Sequence, residues 1–374
     1  MMQIGLLGFG VVGRGLYDLT QGRDDIRVRK VLCLEDITLS DATVTHDFND
    51  ILNDPEIDTV VEAMGGLHPA YDFVRAAMEA GKNIVTSNKA LVATCYEQLL
   101  SLAQEKGLQL RCTAAVGGGI GWLTALERSR RVQKLNRVGG IMNGTCNYIL
   151  DSMTRLGLGY DEALKQAQTL GYAEANPSTD VDGIDTWHKL LLSANVAFGI
   201  RLDPATVPAA GIRHITAGDV KQFAAHGYVC KLMSSAVRTE HGCSAMVQPT
   251  LLKQGALEAA VPSNYNLITY DGEYSGIQSY YGQGAGRYPT AYNVVLDCAD
   301  LLEGAGFYVP LGSLTPAENT APMRYYIRST AAIPWQAEEN WGDGIITGPV
   351  SPAQVHGWLK ENPGSFIAGI PDEN

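Results

Sequence analysis

The sequence predicts an α/β protein, with an N-terminal Rossmann-type doubly wound sheet and a second domain of α+β type. Short apolar strands alternate with helical stretches through the first 113 residues, which is typical of a parallel sheet. After about residue 125 the pattern changes to strand-like segments interrupted by helical stretches. A chain of 374 residues also exceeds the usual size of one domain.

The first strand, residues 3–7, runs into a glycine-rich turn. Gly8, Gly10 and Gly13 follow it at the spacing GxGxxG and precede a helix-like stretch. A second strand-like run, residues 26–34, ends at Glu35. Glycines let the backbone approach a pyrophosphate, whose charge then faces free N–H groups and the positive end of a helix. This order predicts a dinucleotide-binding βαβ unit, whereas the glycine motif alone could be a plain turn.

The remaining elements follow from periodicity and turn residues. Strands are predicted at 59–64, 83–86, 109–113, 138–142, 245–250, 267–271 and 277–281, and helices at 69–80, 93–106, 160–170, 183–197, 217–226 and 290–304. The last helix is predicted to return and complete the first domain. We therefore expect a dinucleotide-binding domain over 1–124 completed by 290–322, a second domain over 125–289, and a short C-terminal tail over 323–374.

Composition excludes several classes of partner. The formal net charge is −12, and no local run of Lys or Arg favours nucleic acid or an anionic membrane. No stretch approaches the roughly 18 apolar residues that a membrane helix needs, and no signal peptide is recognisable. The seven scattered cysteines contain no CxxC pair and are expected to be reduced, mostly buried thiols, so a cytoplasmic location is expected.

One stretch, GYAEANPSTDVDGIDTWHK (171–189), collects carboxylates beside a lysine. As a calcium loop beginning at Ser178 it would place Lys189 where a bidentate glutamate is required, which disfavours calcium. As an exposed i,i+4 pair, Asp185 and Lys189 would contribute only about 0.2–0.5 kcal/mol. The following helix is apolar on nearly all sides, however, and buried charges persist only when paired or functional. A polar pocket for a zwitterionic substrate is the third interpretation.

Nine blocks of the chain resemble those of the homoserine dehydrogenases and occur in the family's order. The resemblance covers nearly the whole chain, up to about residue 328. The blocks are GLLGFGVVGRG (5–15), VVEAMGGLHPA (60–70), IVTSNKALVA (84–93), AAVGGGI (114–120), GIMNGTCNYIL (140–150), GYAEANPSTDVDGIDTWHKL (171–190), VQPTLL (247–252), YYGQGAGRYPTA (280–291) and MRYYIR (323–328). Any one block alone would be unspecific, but nine in order identify the family.

The resemblance implies NAD(P)-dependent interconversion of L-homoserine and L-aspartate 4-semialdehyde, the step leading toward threonine and methionine. It makes the second domain the catalytic and dimerisation domain of a homodimer. The catalytic residues that it implies are Lys189, Lys89 and Asp185, and the substrate-binding residues are Gly144, Thr145, Tyr172, Glu174 and Asp180. In this interpretation the carboxylates hold a cationic amino acid and keep a lysine charged and aimed.

The resemblance also implies where the cofactor and an ion would bind. Cofactor contacts carry over to Gly8, Gly10, Val11, Val12, Gly13, Gly65, Lys89, Gly284 and Gly286. Main-chain oxygens of Thr113, Val116, Gly118 and Ile120 would hold Na⁺ or K⁺, although a tight turn enclosing water would use the same glycines. Many relatives have glutamate in place of Thr113, proline in place of Gly121 and threonine in place of Cys146.

Glu35 distinguishes between the two dinucleotides. An acidic residue at the end of the second strand repels a 2′-phosphate and accepts a bond from a free ribose hydroxyl, which favours NAD over NADP. Arg29 and Lys30 lie close by in the sequence and weaken this inference.

The segment after residue 328 is too short for the regulatory ACT domain of many family members. That domain needs about 70 to 80 residues by resemblance to the family, so we expect at most a shortened remnant. Two alternatives to a homoserine dehydrogenase remain open from sequence. One is a non-catalytic dinucleotide-binding regulator, and the other is a dehydrogenase of a related amino alcohol or semialdehyde.

Overall fold

The computed structural model describes residues 1–240, 242–306 and 312–371. Its strands are β1 (Met2–Leu7), β2 (Ile26–Leu32), β3 (Thr43–Thr45), β4 (Thr59–Glu62), β5 (Asn83–Thr86), β6 (Leu110–Arg111), β7 (Leu135–Ile141), β8 (Arg201–Leu202), β9 (Tyr228–Arg238), β10 (Cys243–Lys253), β11 (Tyr265–Gly272), β12 (Gly276–Gln283), β13 (Leu314–Thr315), β14 (Arg324–Arg328), β15 (Ala337–Trp341), β16 (Gly344–Thr347) and β17 (Phe366–Ile370). Its α-helices are α1 (Val11–Thr20), α2 (Asn49–Leu52), α3 (Ala70–Glu79), α4 (Lys89–Lys106), α5 (Trp122–Arg130), α6 (Gly144–Leu156), α7 (Tyr160–Thr169), α8 (Ser178–Val181), α9 (Ile184–Phe198), α10 (Ala217–Ala225), α11 (Arg287–Leu302) and α12 (Pro352–Glu361). The chain divides into two compact units.

The first unit comprises Met1–Arg131 and Gln283–Leu311. Its six-stranded sheet has the order β3-β2-β1-β4-β5-β6, and every pair in it is parallel. The central strands β1 and β4 are almost entirely buried and apolar, as expected where helices cover both faces of a parallel sheet. The prediction of a Rossmann-type sheet is therefore confirmed.

The helix predicted at 290–304 begins earlier, at Arg287, and packs against α1. The loop before it also belongs to the first unit, because the carbonyl of Gln283 accepts a hydrogen bond from the Gly119 N–H (3.1 Å) and Arg287 pairs with Asp18. Gly15 permits this packing, since a Cβ there would lie 2.7 Å from the Arg287 carbonyl oxygen. The returning segment thus begins at Gln283 rather than at residue 290, and the predicted end at residue 322 is wrong because the chain from Gly312 onward belongs to the second unit.

The second unit comprises Val132–Gly282 and Gly312–Asn374, of which the structure describes all but residues 241 and 372–374. Its nine-stranded sheet has the order β12-β11-β7-β9-β10-β17-β14-β16-β15. The long antiparallel pair of β9 and β10 lies at the centre. Helices α6, α9 and α10 pack on β9, which places the chain's acidic stretch beside the sheet.

The C-terminal segment is not a separate tail. Its four strands β14 to β17 extend the second unit's sheet, and Tyr325, Phe366 and Ile367 are buried there. The strand order β17-β14-β16-β15, with α12 between β16 and β17, matches a ferredoxin-like split βαβ arrangement without its first helix. The sequence predicted only a tail here because the 42 residues from the start of β14 to residue 365 have too little hydrophobic periodicity to predict strands or helices. They are rich in Trp, Pro and Gly.

Within the described segments, no helix is both long enough and apolar enough to cross a bilayer.

Candidate functional site

The glycine turn between β1 and α1 is the first element of the site in the first unit. Gly8 has φ +93°, and a Cβ at Gly13 would lie 2.2 Å from the Gly8 carbonyl oxygen, so both positions require glycine. At Gly10 a Cβ would meet no atom within 4 Å, which leaves open space above the turn. Helix α1 begins at Val11 and continues through Val12 without a side-chain cap, so its first N–H groups suit a phosphate.

Glu35 follows β2, as predicted, and it has a partner that sequence reasoning missed. The Arg14 guanidinium donates to the Glu35 carboxylate at 2.5 Å, and both side chains are solvent-accessible. Arg14 also lies over the Phe9 ring, 4.8 Å from its centroid. The sequence signal for Arg14 was its position directly after Gly13, the third glycine of GxGxxG.

A buried carboxylate organises the loop that carries Gly65. Glu62 ends β4 fully buried, and its Oε1 accepts hydrogen bonds from the Met64 N–H (2.8 Å) and the Gly65 N–H (3.2 Å). Its Oε2 accepts from the Thr86 hydroxyl at 2.5 Å. An acidic residue closing an apolar strand, as in VVE, was the sequence signal for Glu62.

Asn88 connects this network to Lys89. Its side-chain amide donates to the Gly66 carbonyl (2.6 Å), and its Oδ1 accepts from the Leu91 N–H (3.1 Å), which caps α4. Helix α4 therefore begins at Lys89 rather than at residue 93 as the sequence predicted, because the cap stabilises an earlier first turn. Lys89 lies at the carboxyl end of the parallel sheet, where ligands bind in such folds.

The predicted cation-binding loop packs against the segment after β12. Gly118 has φ +51°, and a Cβ there would lie 2.6 Å from the Gly284 backbone. Gly286, at φ +131°, is the N-cap of α11. The Gly118 carbonyl accepts from the Asn293 amide at 2.5 Å, and the Ile120 carbonyl accepts from the Trp122 N–H at 2.7 Å.

Asp297 fixes the start of that loop. Its carboxylate accepts hydrogen bonds from the Thr113 N–H (2.9 Å) and the Thr113 hydroxyl (2.7 Å). Val116, three residues further along the loop, is buried. Burial raises the pKa of Asp297 to about 6, although Arg111 opposes the shift. Within the described residues, no cluster of three or more His, Cys, Asp or Glu side chains suits a metal, so an ion here would depend on carbonyl oxygens.

In the second unit, Lys189 and Asp185 form a buried pair. The Lys189 ammonium donates to Asp185 Oδ2 (2.7 Å) and to the Met142 carbonyl oxygen (2.7 Å). The lysine is 7% exposed and the aspartate 4%, so the interpretation as an exposed helix pair is excluded. Burying charged groups this deeply costs free energy unless hydrogen bonds and a partner charge compensate for the lost water.

Asn143 joins the carboxylates and was not among the predicted site residues. Its side-chain amide donates to Asp180 Oδ1 (2.7 Å) and to Asp185 Oδ2 (2.8 Å). Its Oδ1 accepts from the Cys146 N–H (2.8 Å) and so caps α6. The NGTCN block contained the signal, because an asparagine before a helix is a preferred cap.

The other predicted substrate residues divide into two groups. Thr145, in the first turn of α6 after Gly144, donates its hydroxyl proton to the Tyr172 carbonyl at 2.5 Å, which brings these three residues together. Glu174 has an exposed side chain, and its backbone carbonyl accepts from Gln168. The structure therefore gathers Gly144, Thr145, Tyr172, Asp180, Asp185 and Lys189 but leaves the Glu174 carboxylate facing solvent.

This cluster is chemically suited to an amino acid that carries a hydroxyl. Two carboxylates accept hydrogen bonds from an ammonium, and a lysine held by hydrogen bonds can exchange a proton with a hydroxyl or carbonyl oxygen. The glycine turn of the first unit is suited to a dinucleotide pyrophosphate. Together, the two units contain the parts of a dehydrogenase for a small zwitterion.

Comparison with known proteins points to one family. A family model described as "Homoserine dehydrogenase" matches residues 122–299, and one described as "Homoserine dehydrogenase, NAD binding domain" matches residues 8–113. Homoserine dehydrogenase of Pseudomonas aeruginosa is 38% identical over 80% of this chain and 72% of its own length, and that of Bacillus subtilis 34% identical over 81% and 73%. The crystal structure of a homoserine dehydrogenase from Thiobacillus denitrificans superposes with a TM-score of 0.87 at 30% identity, covering 99% of this chain and 98% of that one.

Proposed function

Because this chain belongs to the homoserine dehydrogenase family, we propose that the cluster around Asn143 is where it interconverts L-homoserine and L-aspartate 4-semialdehyde. The observation that carries the proposal is the single amide that bonds Asp180 (2.7 Å) and Asp185 (2.8 Å), with Lys189 paired to Asp185. Gly144, Thr145 and Tyr172 line the same place in this proposal, and Glu174 approaches the substrate amine from its exposed position.

Lys189 is the group that moves the hydroxyl proton in this mechanism. When bound, the dinucleotide would accept a hydride from carbon 4 of homoserine, and the neutral amine form of Lys189 would take up the hydroxyl proton so that a carbonyl forms. Asp185 and the Met142 carbonyl fix the Lys189 ammonium from two sides, which limits its freedom to one direction. In the reverse reaction, the protonated lysine supplies the proton to the aldehyde oxygen. Lys89, at the start of α4, is the second lysine, and Asp180 binds the ammonium group.

The test is the initial rate of cofactor reduction with L-homoserine. Lys189→Ala is expected to lower kcat by about 100-fold or more, because a positioned proton-transfer group contributes about 10²–10⁴-fold. Lys221→Ala, at an exposed lysine of α10, is the matched control and is expected to retain the wild-type rate. A wild-type rate for Lys189→Ala would contradict the proposal. Turnover of a related amino alcohol in preference to homoserine would change the substrate but keep the chemistry.

The cofactor is a nicotinamide dinucleotide, and we propose a preference for NAD over NADP. Glu35 supports this, because a carboxylate accepts a bond from the ribose 2′-hydroxyl and repels a 2′-phosphate. Arg14 works against it, since its guanidinium lies 2.5 Å from the same carboxylate and would attract phosphate. Val11, Val12, Gly65, Gly284 and Gly286 complete the proposed cofactor contacts.

Three further properties complete the proposal. One is an ion site: Na⁺ or K⁺ binds to the carbonyl oxygens of Thr113, Val116, Gly118 and Ile120, because oxygen ligands suit these ions. Replacing both ions by choline should then lower the rate of cofactor reduction.

The other two properties concern assembly and location. The chain is a homodimer through the second unit's sheet, which sedimentation would test. It works in the cytoplasm, which agrees with seven buried cysteines that all carry free thiols.

A further inference from the structure

A lysine that the proposed mechanism does not use lies in the interior of the second unit. Lys231, on β9, is 1% exposed and is among the largest fully buried side chains. Its ammonium donates to Asn147 Oδ1 (2.8 Å) and to the Val261 carbonyl oxygen (2.7 Å). Burying an ammonium group is costly unless hydrogen bonds compensate for lost water, so these two bonds tie the strand to whatever carries their acceptors.

The acceptors belong to helix α6 and to the loop 261–265 that leads into β11. The Asn147 amide, 1% exposed, lies 2.8 Å from the Ser263 carbonyl oxygen and 3.2 Å from those of Val261 and Tyr265. Ser263 adopts φ +51°, which is uncommon for a residue with a side chain, and its N–H donates to Asp151 of α6 at 2.9 Å. Lys231 and Asn147 therefore hold an irregular loop against one face of α6.

This face of α6 leads directly to the proposed substrate site. A Cβ at Gly144, the first residue of α6, would lie 2.5 Å from the Asn264 carbonyl oxygen, so the loop fits tightly over the helix's first turn. Asn147 lies one turn after Asn143, whose amide bonds Asp180 and Asp185. A shift of the loop would thus move the turn that carries Gly144 and Thr145.

The charges around Lys231 act in opposite directions. Burial lowers its pKa to about 8, Asp151 and the neighbouring Cys230 oppose that shift, and Arg155 adds to it. Asp151 and Arg155 both lie on α6. At neutral pH the ammonium form therefore predominates and can donate both of its observed hydrogen bonds.

We propose that Lys231 is a positioning residue for the amino-acid substrate, acting through Asn147 and the loop 261–265 to fix the first turn of α6. The inference rests on the proposed function, because it concerns the binding of homoserine to that turn. Lys231 lies outside the proton-transfer cluster, and its contacts described above all lie in the second unit. Its loss should therefore weaken substrate binding and leave dinucleotide binding unchanged.

The experiment measures KM for L-homoserine and for the dinucleotide in Lys231→Met, a substitution that keeps the length and removes the donor. KM for homoserine is expected to rise about 10-fold, because two buried acceptors lose their partner, while KM for the dinucleotide stays within about 2-fold. Lys221→Met, at an exposed lysine, is the matched control. An unchanged KM for homoserine, or an equal rise in both KM values, would overturn the inference.

A second variant covers the case in which Lys231→Met does not fold. Asn147→Asp keeps an acceptor for Lys231 but removes the amide donors to the loop carbonyls, so it should raise KM for homoserine in the same selective way. A KM for homoserine that stays at the wild-type value would again overturn the inference. If the wild type itself reduces no dinucleotide with homoserine, the proposed function fails; if the wild type is active and both variants match it, only the role of Lys231 fails.

Discussion

At the scale of single residues, the side-chain amide of Asn143 has two structural roles in the second unit. Asn143 caps α6 through its Oδ1 and bridges two carboxylates through its NH₂ group. Without that bridge, Asp180 and Asp185 would repel each other and the Lys189 pair would lose its orientation. The cap and the bridge can be separated experimentally, because serine can cap a helix but cannot donate two hydrogen bonds.

We predict that Asn143→Ser and Asn143→Ala both lower kcat/KM for homoserine by about 100-fold, since both remove the bridge. Stability should differ between them. Asn143→Ala should lose about 1 kcal/mol of free energy of unfolding more than Asn143→Ser, because only serine retains an N-cap acceptor. Steady-state kinetics and urea unfolding of the two variants provide the measurement. If Asn143→Ser kept a kcat/KM near the wild-type value and only Asn143→Ala lost activity, the helix cap alone would matter and the bridge would not.

The Arg14–Glu35 pair is the second residue-scale feature, and we propose that it governs the preference between NAD and NADP. Glu35→Ala should raise kcat/KM with NADP by about 10-fold or more, because a repelling carboxylate is removed and Arg14 becomes available to the 2′-phosphate. Arg14→Ala should have the opposite effect on NADP. Parallel rates with both dinucleotides test this, and an unaltered ratio in both variants would place the 2′ end of the cofactor elsewhere.

At the scale of elements, the turn between β1 and α1 separates two uses of glycine. Gly13 is needed for packing, because its Cβ would lie 2.2 Å from the Gly8 carbonyl oxygen, whereas Gly10 has φ −76° and open space around it. Alanine at position 10 is therefore compatible with the fold but would intrude where a pyrophosphate is proposed to bind.

We predict that Gly13→Ala lowers the free energy of unfolding by about 2 kcal/mol or more, since backbone atoms must move to relieve the clash. Gly10→Ala should keep the wild-type Tm but weaken dinucleotide binding by about 10-fold. Thermal melts and titration with the dinucleotide distinguish the two. Equal binding by Gly10→Ala and the wild type would contradict a cofactor at this turn.

At the scale of the whole molecule, the C-terminal strands and α12 are integrated into the second unit. His356 of α12 is buried beside Gln248 of β10, and its Nε2–H donates to the Gln248 Oε1 at 2.9 Å. Burial, with a smaller contribution from Lys360, lowers the pKa of His356 to about 4. The folded protein therefore keeps this histidine neutral at a pH at which the unfolded chain binds a proton.

Acidification should consequently destabilise the protein through His356. The free energy of unfolding is expected to fall as pH drops from about 6.5 to about 4, because His356 binds a proton in the unfolded chain before it does so in the folded protein. The total loss from this group is about 3 kcal/mol. His356→Gln should flatten the dependence of unfolding free energy on pH over that range, since glutamine can still donate to Gln248. His68→Gln, at an exposed histidine, is the control. Parallel curves for His356→Gln and the wild type would show that the histidine does not titrate differently on folding.

Local pattern allowed much of the architecture to be predicted. The strand at 83–86 and the helices near 160–170 and 217–226 follow from periodicity and punctuation, and the structure has them within a residue. The central strand β9 escaped prediction because its polar residues, including Lys231 and Ser234, are buried by long-range contacts that no local window contains. For the same reason the distant hydrogen-bond partners of Glu62 and Asn143 could be identified only from the tertiary structure.

The sequence by itself determined the family, the dinucleotide turn and the residue types of the site, because glycine spacing, apolar strands and nine ordered blocks are local and specific. Tertiary structure decided which polar groups meet. It paired Glu35 with Arg14, bridged Asp180 to Asp185 through Asn143, and placed the last four strands in the second unit's sheet. Contacts between residues distant in the chain depend on packing and on satisfying buried polar groups, and these are properties of the folded interior rather than of any short segment.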